Sequence, residues 1–384
     1  MYYGYIINMK LTRTIKLRLK LKSEDILPTV KAATQAFNYV CQVGHKDKDY
    51  NSISLHHKTY KYVRDTFKLP ADTTTQMRMK AAEVLKPAIK QKVKCPESKL
   101  CSIRYSHQGY NVWFNKQELT LLTLTGRIRV SFYFPKQFEQ YLSWRRKSAE
   151  LIIRKDKVYL CVIFQKDIED SQKLENPIIL GIDRGINKVA VCSDNTFYNG
   201  NVLRVTNKYQ KLRNALQKCG TPSAKRHLQR ISLKENRFKK DVNHCISKKI
   251  VKSLPENSII VFEDLKKIRQ RARLNKKGRK KLHSWSFYQL ENFVTYKANA
   301  NKISIDYVDA RYTSQKCSKC FYVSRSNRKY QSVFKCKKCG FSLNADLNAS
   351  RNIETNYRDA NGYPERLSVN QPIVRNEVTE VVTA

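Results

Sequence analysis

Acidic side chains are what this sequence has least of. It carries 32 Asp+Glu against 75 Lys+Arg over 384 residues, a formal net charge of +43 at pH 7. An excess of one sign on this scale repels itself unless a polyanion neutralises it, and phosphate backbones do so while releasing counterions. The sequence also lacks any apolar run approaching the roughly 20 residues of a membrane span. No signal-peptide core with a small-residue cleavage site follows the short Tyr/Ile-rich start over 1–8. Strand-like text begins at Met9, which offers an alternative start. There is no disulfide framework: seven of the 11 cysteines are scattered singly, and the other four form two Cys-x-x-Cys pairs. That pattern points to a reducing cytosol and one metal site. Internal repeats are absent. What is present is a hydrophobic fraction of 41%, enough to fill a core, in a chain long enough for roughly two or three domains. Nucleic-acid binding without membrane association is the expectation. A ribosomal-type basic protein is the alternative, but such proteins are usually shorter and lack clustered carboxylates.

Residues 11–21 alternate, with Leu11, Ile15, Leu17, Leu19 and Leu21 on one face and Lys16, Arg18 and Lys20 on the other. The pattern predicts a half-buried strand with a basic outer face. Residues 24–92 read as helices. Apolar residues recur at helical spacing in 30–41, and a Thr-rich cap opens a helix over 72–92 through Ala81, Ala82, Val84 and Leu85. Short strands return over 101–166, with a hairpin turning near Lys155-Asp156-Lys157. A helical block between β segments predicts a small barrel with a helical insertion. Glu175-Asn176-Pro177 is a linker. Beyond it come a buried strand at Ile178–Asp183 and a meander through Ser193-Asp194-Asn195. A basic helical stretch over 206–254, broken at Gly220-Thr221-Pro222, leads to a strand at Ser258–Phe262. A helix over 284–299 and a strand over 303–308 follow. The order predicts an α+β multidomain chain. Residues 266–281 hold ten Lys/Arg, either a solvated loop or a contact to a phosphate backbone. The tail after Asn356 is apolar-poor and expected to be poorly ordered.

Four motifs carry chemistry. Cys317-x-x-Cys320 and Cys336-x-x-Cys339 stand fifteen residues apart. Two such knuckles complete a tetrahedron of thiolates for Zn²⁺. All four positions being protein ligands, the ion is structural. Lys316, Lys319, Arg325, Arg328, Lys329, Lys335, Lys337 and Lys338 make the module basic. Leu180-Gly181-Ile182-Asp183-Arg184-Gly185 ends an apolar strand in a carboxylate, and Ser258–Leu265 does the same with Glu263 and Asp264. Asn344 caps a short helix with Asp346 in its first turn. Alone, each carboxylate motif is as compatible with a turn or a cap as with catalysis. Asp183, Glu263 and Asp346 in one very basic chain also form the ligand set of two-metal phosphodiester hydrolysis. Mg²⁺ takes carboxylate oxygens, and two ions ~3.5–4 Å apart clamp an in-line displacement.

The order Gly-Ile-Asp-Arg-Gly, Phe-Glu-Asp-Leu, Tyr312-Thr313-Ser314-Gln315-Lys316-Cys317, the second cysteine pair and Asn-Ala-Asp-Leu-Asn-Ala resembles the TnpB proteins of insertion sequences, relatives of type V CRISPR effectors and of Fanzor. The resemblance covers Leu180 to Ile353. It touches Leu11–Lys20, residues 126–134 and Gly362-Tyr363-Pro364-Glu365 more loosely. It implies a wedge β-barrel (1–22 and 96–175) with a helical recognition insert (23–95). A RuvC-like nuclease domain of RNase H fold follows (178–312 and 343–356), with an inserted four-cysteine zinc module that binds target nucleic acid (313–342), and a disordered tail (357–384).

The function it implies is an RNA-guided DNA endonuclease of the prokaryotic cytosol and nucleoid. A guide (omega) RNA from the transposon end pairs with double-stranded target DNA beside a short transposon-adjacent motif, one chain serving each RNA. Asp183, Glu263 and Asp346 become the catalytic Mg²⁺ ligands, and Cys317, Cys320, Cys336 and Cys339 the Zn²⁺ ligands. His283 to Leu290 resembles a stretch after the family's lid, with Trp285 packing. Thr75, Gln76, Arg78 and Lys80 are candidates for the flanking-motif contact; Lys266, Lys267, Arg269, Arg271 and Arg273 are candidates for backbone contact. Tyr3 and Tyr5 offer stacking or packing. The chain departs from the family at Phe321, where relatives often place glycine. The competing functions are a nuclease-silent RNA-guided DNA-binding repressor and a transposase or its accessory protein. No His-hydrophobe-His motif with a Tyr nucleophile supports the transposase.

Overall fold

The computed structural model describes residues 9–168, 176–185, 187–265, 278–279, 282, 286–328 and 330–364. The chain divides into two compact units, Asn8–Ile168 and Glu169–Ala384, the latter grouped with Met1–Ile7. Among the described residues no helix is long and apolar enough to cross a membrane.

The first unit is built on a seven-stranded sheet. Its strands are β1 (Met9–Lys22), β2 (Ile103–Tyr105), β3 (Tyr110–Trp113), β4 (Glu118–Thr123), β5 (Gly126–Tyr133), β6 (Arg145–Arg154) and β7 (Lys157–Ile168). Their order is β2-β6-β7-β1-β5-β4-β3. The two edge strands β2 and β3 are joined by only residues 106–109, so the sheet must curl until its ends approach. Tyr105 on β2 donates to the Leu122 carbonyl at 2.9 Å, and Tyr110 on β3 donates to the Lys147 carbonyl at 2.7 Å. The result is a nearly closed barrel. β1 alternates as its sequence predicts: Leu11, Ile15, Leu17 and Leu19 are buried, while Lys16, Arg18 and Lys20 are exposed. The β6–β7 hairpin turns on Lys155 and Asp156, both at positive φ (48° and 59°), the two-residue turn whose twist suits a hairpin.

Between β1 and β2 lie α1 (Ser23–Lys46), α2 (Ser52–Phe67) and α3 (Ala71–Lys90). Ile26, Val30, Phe37, Met77, Ala81 and Leu85 join the barrel side chains in one core. The threonines at the head of α3 do not cap it. Pro70 is the N-cap, and Thr73 and Thr74 lie buried within the helix. The Thr74 amide already bonds the Pro70 carbonyl at 2.9 Å, so the helix has begun before them.

The second unit holds a five-stranded sheet in the order β10-β9-β8-β11-β12. The strands are β8 (Ile179–Asp183), β9 (Ala190–Cys192), β10 (Phe197–Tyr198), β11 (Ile259–Glu263) and β12 (Ser304–Val308). β8, β9 and β10 run as an antiparallel meander, whereas β8, β11 and β12 are parallel. The helices are α4 (Val202–Cys219), α5 (Pro222–Lys252), α6 (Phe287–Ala300) and α7 (Ala345–Asn361). Strand alternation sorts the two faces. Leu180, Ile182, Ile260 and Phe262 pack with Ile246 and Ile250 of α5 and Leu290 and Val294 of α6. Ile179, Ile259 and Val261 pack with Ile353 and Tyr357 of α7.

α7 runs past the boundary expected at 356. Tyr357 is buried in the sheet core, stacks on Tyr363 and donates to Asp306 at 2.6 Å. Residues 357–361 are therefore helix, held by an aromatic anchor that an apolar-poor composition conceals. Residues 365–384 lie outside the described ones.

Candidate active site and four-cysteine module

Period-two alternation also decides where the carboxylates go. Asp183 shares its face with Ile179 and Gly181, and Glu263 shares its face with Ile259 and Val261, so both point to the side that α7 covers. The parallel register sets Ile182 beside Phe262, which brings Asp183 and Glu263 together as the last residues of neighbouring strands. Gly181 is what lets α7 approach. A Cβ there would stand 2.3 Å from the Ser350 carbonyl oxygen and 2.7 Å from the Glu354 amide nitrogen. The first turn of α7 then delivers Asp346. Asn344 caps it, accepting from the Asp346 and Leu347 amides at 3.1 and 3.2 Å.

The electrostatics record this convergence. Burial, then the carboxylates of Glu263 and Asp346, push the Asp183 carboxyl well above the aspartate range, against the pull of Arg328 and Arg184. Burial also raises Glu263, opposed by the Thr313 hydrogen bond and by Arg184 and Arg328. Clustered buried carboxylates of this kind are relieved by a hard cation that takes oxygen ligands, so the donor set fits Mg²⁺.

Several polar partners of the site are tertiary. Arg184 is buried, pairs with Glu291, donates from Nη2 to the Glu263 carbonyl at 2.7 Å, and lies 4.6 Å over the Phe262 ring. Thr313 Oγ1 donates to Glu263 Oε1. Arg328 Nη2 donates to Asp346 Oδ1 at 3.0 Å. The sequence places Arg184 beside Asp183 and Arg328 in a basic module, but nothing local in it marks their partners.

The four cysteines do converge. Their sulfurs lie within 4.8 Å of one another, the one such group of three or more Cys, His, Asp or Glu among the described residues. The carboxylates are thus spread more widely than the thiols. Cys317 Sγ is 3.8 Å from Cys339 Sγ, and Cys320 Sγ is 3.6 Å from Cys336 Sγ. A tetrahedron with metal–sulfur bonds of ~2.3 Å has edges of about 3.8 Å, so the group fits Zn²⁺. Burial pushes the Cys317 thiol up to about 12. Cys336, raised by burial but lowered further by the backbone amides of Cys339 and Lys338 and by neighbouring thiols, is brought down to about 7. The short hairpin of β13 (Val333–Lys335) and β14 (Ser342–Asn344) carries the second knuckle, with Phe334 fully buried. Asn327, 1% exposed, ties the knuckles together. It accepts from the Lys337 amide at 2.9 Å and donates to the carbonyls of Gln315 and Tyr322 at 3.0 and 3.2 Å. Phe321 follows the first pair at φ 61°, as Gly340 follows the second at φ 72°.

The sequence candidates for nucleic-acid contact do not gather into a described site. Thr75, Gln76, Arg78 and Lys80 are half-buried on α3. Lys80 is engaged with the Ser102 carbonyl at 2.8 Å and with Glu150 at 3.9 Å. The Arg78 Nε is buried without a partner. Lys266, Lys267, Arg269, Arg271 and Arg273 lie outside the described residues, as do Tyr3, Tyr5, His283, Trp285 and Lys329.

Residues 160–279 match a family described as a probable transposase, OrfB_IS605, and residues 287–353 match the TNB domain of Cas12f1-like proteins. A TnpB-like protein of Methanocaldococcus jannaschii is 28% identical over 63% of this chain and 91% of that protein. A CRISPR-associated endodeoxyribonuclease Cas12f1 of Sulfoacidibacillus thermotolerans is 38% identical over 30% of this chain, and a putative RNA-guided DNA endonuclease InsQ of Escherichia coli is 25% identical over 56%. The chain spans 26% of that Cas12f1, 52% of a second one and 59% of InsQ. In solved structures the fold is similar to Cas12f1 in its complex with guide RNA and target DNA, with a TM-score of 0.60 and 15% identity over 90% of this chain and 99% of that one. The ordered motifs, the two family matches and the TnpB-like relatives agree: the chain is similar to the TnpB family over most of its second unit.

Proposed function

We propose that this protein is an RNA-guided DNA endonuclease. It uses a guide RNA from a transposon end to cut double-stranded DNA beside a short flanking motif. The observation that carries this is the arrival of Asp183, Glu263 and Asp346 on one face of one sheet, from two strand ends and a helix start. The order β10-β9-β8-β11-β12, an antiparallel meander continued by parallel strands, supports a RuvC-like domain of RNase H fold. The nearly closed barrel supports a wedge domain, and the three helices between β1 and β2 support a recognition insert. A net charge of +43 suits an RNA scaffold and an RNA–DNA heteroduplex.

In this proposal Asp183, Glu263 and Asp346 hold Mg²⁺, which when bound neutralises charge on the scissile phosphate and acidifies a water. The chain's own residues set the stage. Thr313 fixes one oxygen of Glu263. Arg184, held by Glu291 and the Glu263 carbonyl, keeps the ends of β8 and β11 together. Burial keeps the carboxylates poorly hydrated, so that they favour a cation over their own ionised, unpaired state. Cys317, Cys320, Cys336 and Cys339 hold structural Zn²⁺.

The test begins with the RNA that copurifies with the expressed chain. Its sequence is used to design a plasmid target beside a randomised flank. With Mg²⁺, the expected result is cutting that needs the match, the flank and the RNA. Cutting that survives RNase treatment contradicts the guided reading. RNA-dependent retention of the plasmid without a nick identifies a repressor instead.

A further inference from the structure

Helix α7 carries asparagines at 348, 352 and 356, where a helix interior gains little from them. Asn348 and Asn352 are one turn apart on the same face, and both are fully buried. Their amides go to a single segment of the four-cysteine module. Asn348 Oδ1 accepts from the Ser318 amide at 3.0 Å, and its Nδ2 donates to the Lys316 carbonyl at 2.8 Å. Asn352 Nδ2 donates to the carbonyls of Thr313 and Lys316 at 2.8 and 2.7 Å. The segment 313–318 begins with the threonine that bonds Glu263 and ends inside the first knuckle. From the other side, Asn327 spans both knuckles and its neighbour Arg328 reaches Asp346. The far half of α7 is also anchored in the sheet core, through Ile353 and Tyr357, and Lys316 donates from Nζ to Asn356 Oδ1 at 2.9 Å. The module therefore holds one face of α7 from Asn348 to Asn356 and reaches Asp346 through Arg328, while the sheet core holds another face through Ile353 and Tyr357.

We propose that Asn348 and Asn352 are positioning residues that make the placement of Asp346 depend on a metal-folded first knuckle. The proposal rests on the nuclease reading above. Buried amides with backbone partners hold a helix in one register, and a misplaced ligand oxygen weakens a hard-metal site without abolishing the fold.

The experiment is Mn²⁺ titration of the full chain, followed by electron paramagnetic resonance, with structural metal counted by elemental analysis. Asn348→Ala/Asn352→Ala is expected to keep its structural metal and to lose Mn²⁺ affinity about tenfold or more. Cleavage should then recover at raised Mn²⁺. Ser342→Ala, which removes a hairpin bond to the Phe334 carbonyl, is expected to bind Mn²⁺ as the parent does. Stripping the structural metal from the parent should produce the same loss, reversed by adding Zn²⁺ back, an arm that does not depend on the variant folding. Parent-like Mn²⁺ affinity in the double variant or in the stripped parent overturns the proposal. Loss of structural metal from the double variant also overturns it, since the amides then serve the knuckle fold. Mn²⁺ binding that Asp183→Ala leaves intact overturns the acidic site itself.

Discussion

Arg328 and Asp346 form a charge-assisted hydrogen bond, Nη2 to Oδ1 at 3.0 Å, by which the four-cysteine module touches the third carboxylate. Both side chains are at most a quarter exposed, so the guanidinium acts in a poorly hydrated site where charge is weakly screened. Arg328 also pulls down the raised Asp183 carboxyl. In the metal-free chain, Arg328→Gln is expected to move the Asp183 protonation midpoint upward, followed by the carboxylic-acid carbonyl stretch in an infrared pH titration with Asp183→Asn as the subtraction. An unmoved midpoint contradicts the coupling.

Asp183 and Glu263 are both raised above their ordinary values of 3.8 and 4.5. The folded chain thus holds protons that the unfolded chain has released. Their contribution to stability is fully present below the ordinary values and is lost as pH rises through the raised ones. Without divalent ions, Asp183→Asn should therefore melt above the parent by a margin that widens from about pH 4 upward. Mg²⁺ should close that margin by stabilising the parent alone. Thermal unfolding across pH checks this, and a margin that is flat with pH contradicts it.

Gly181 faces backbone, not a flexible side chain, at its closest approach. Gly181→Ala must push α7 off β8. Overpacking of this kind costs about 1–3 kcal/mol, and here it also moves the helix that carries Asp346. Denaturant unfolding should show the destabilisation and Mn²⁺ titration a weaker acidic site. Parent-like values in both contradict the close approach.

Phe321 sits in the left-handed region that Gly340 occupies in the second knuckle. The left-handed conformation costs a non-glycine residue about 1–2 kcal/mol. Phe321→Gly removes that and gives up a contact with Lys316, whose Nζ is 4.9 Å from the ring centroid, worth about 0.5–1 kcal/mol at an exposed site. The variant is expected to resist chelator-induced metal loss at least as well as the parent. Faster loss contradicts the strain argument.

The parts of the site legible in the sequence are those that local chemistry dictates. Asp183 and Glu263 end apolar runs, Asn344 precedes a helix start, and Cys-x-x-Cys pairs announce themselves by spacing. The face on which α7 packs is implicit in the alternation around Ile179, Gly181 and Asp183, yet the demand on Gly181 appears only when Ser350 and Glu354 arrive from 169 and 173 positions along the chain. Arg184–Glu291, Thr313–Glu263 and Arg328–Asp346 link residues from 18 to 107 positions apart, which no periodicity encodes. Thr73 and Thr74 misled for the opposite reason. Threonine is a common cap, but Pro70 had already started α3. The boundary at 356 failed because one buried tyrosine outweighs a polar neighbourhood.

Asp183, Glu263 and Asp346 are proposed to act as one metal-dependent nuclease site. Single-turnover cleavage of a matched target by the guide-loaded chain, comparing Asp183→Ala, Glu263→Ala, Asp346→Ala and the triple variant, decides whether they do. Residues that act as a unit are non-additive, so each single variant should lose at least about a thousandfold in rate, and the triple variant little more than the worst single. Any single variant that cuts as fast as the parent, or losses that multiply across the three, would contradict a shared site.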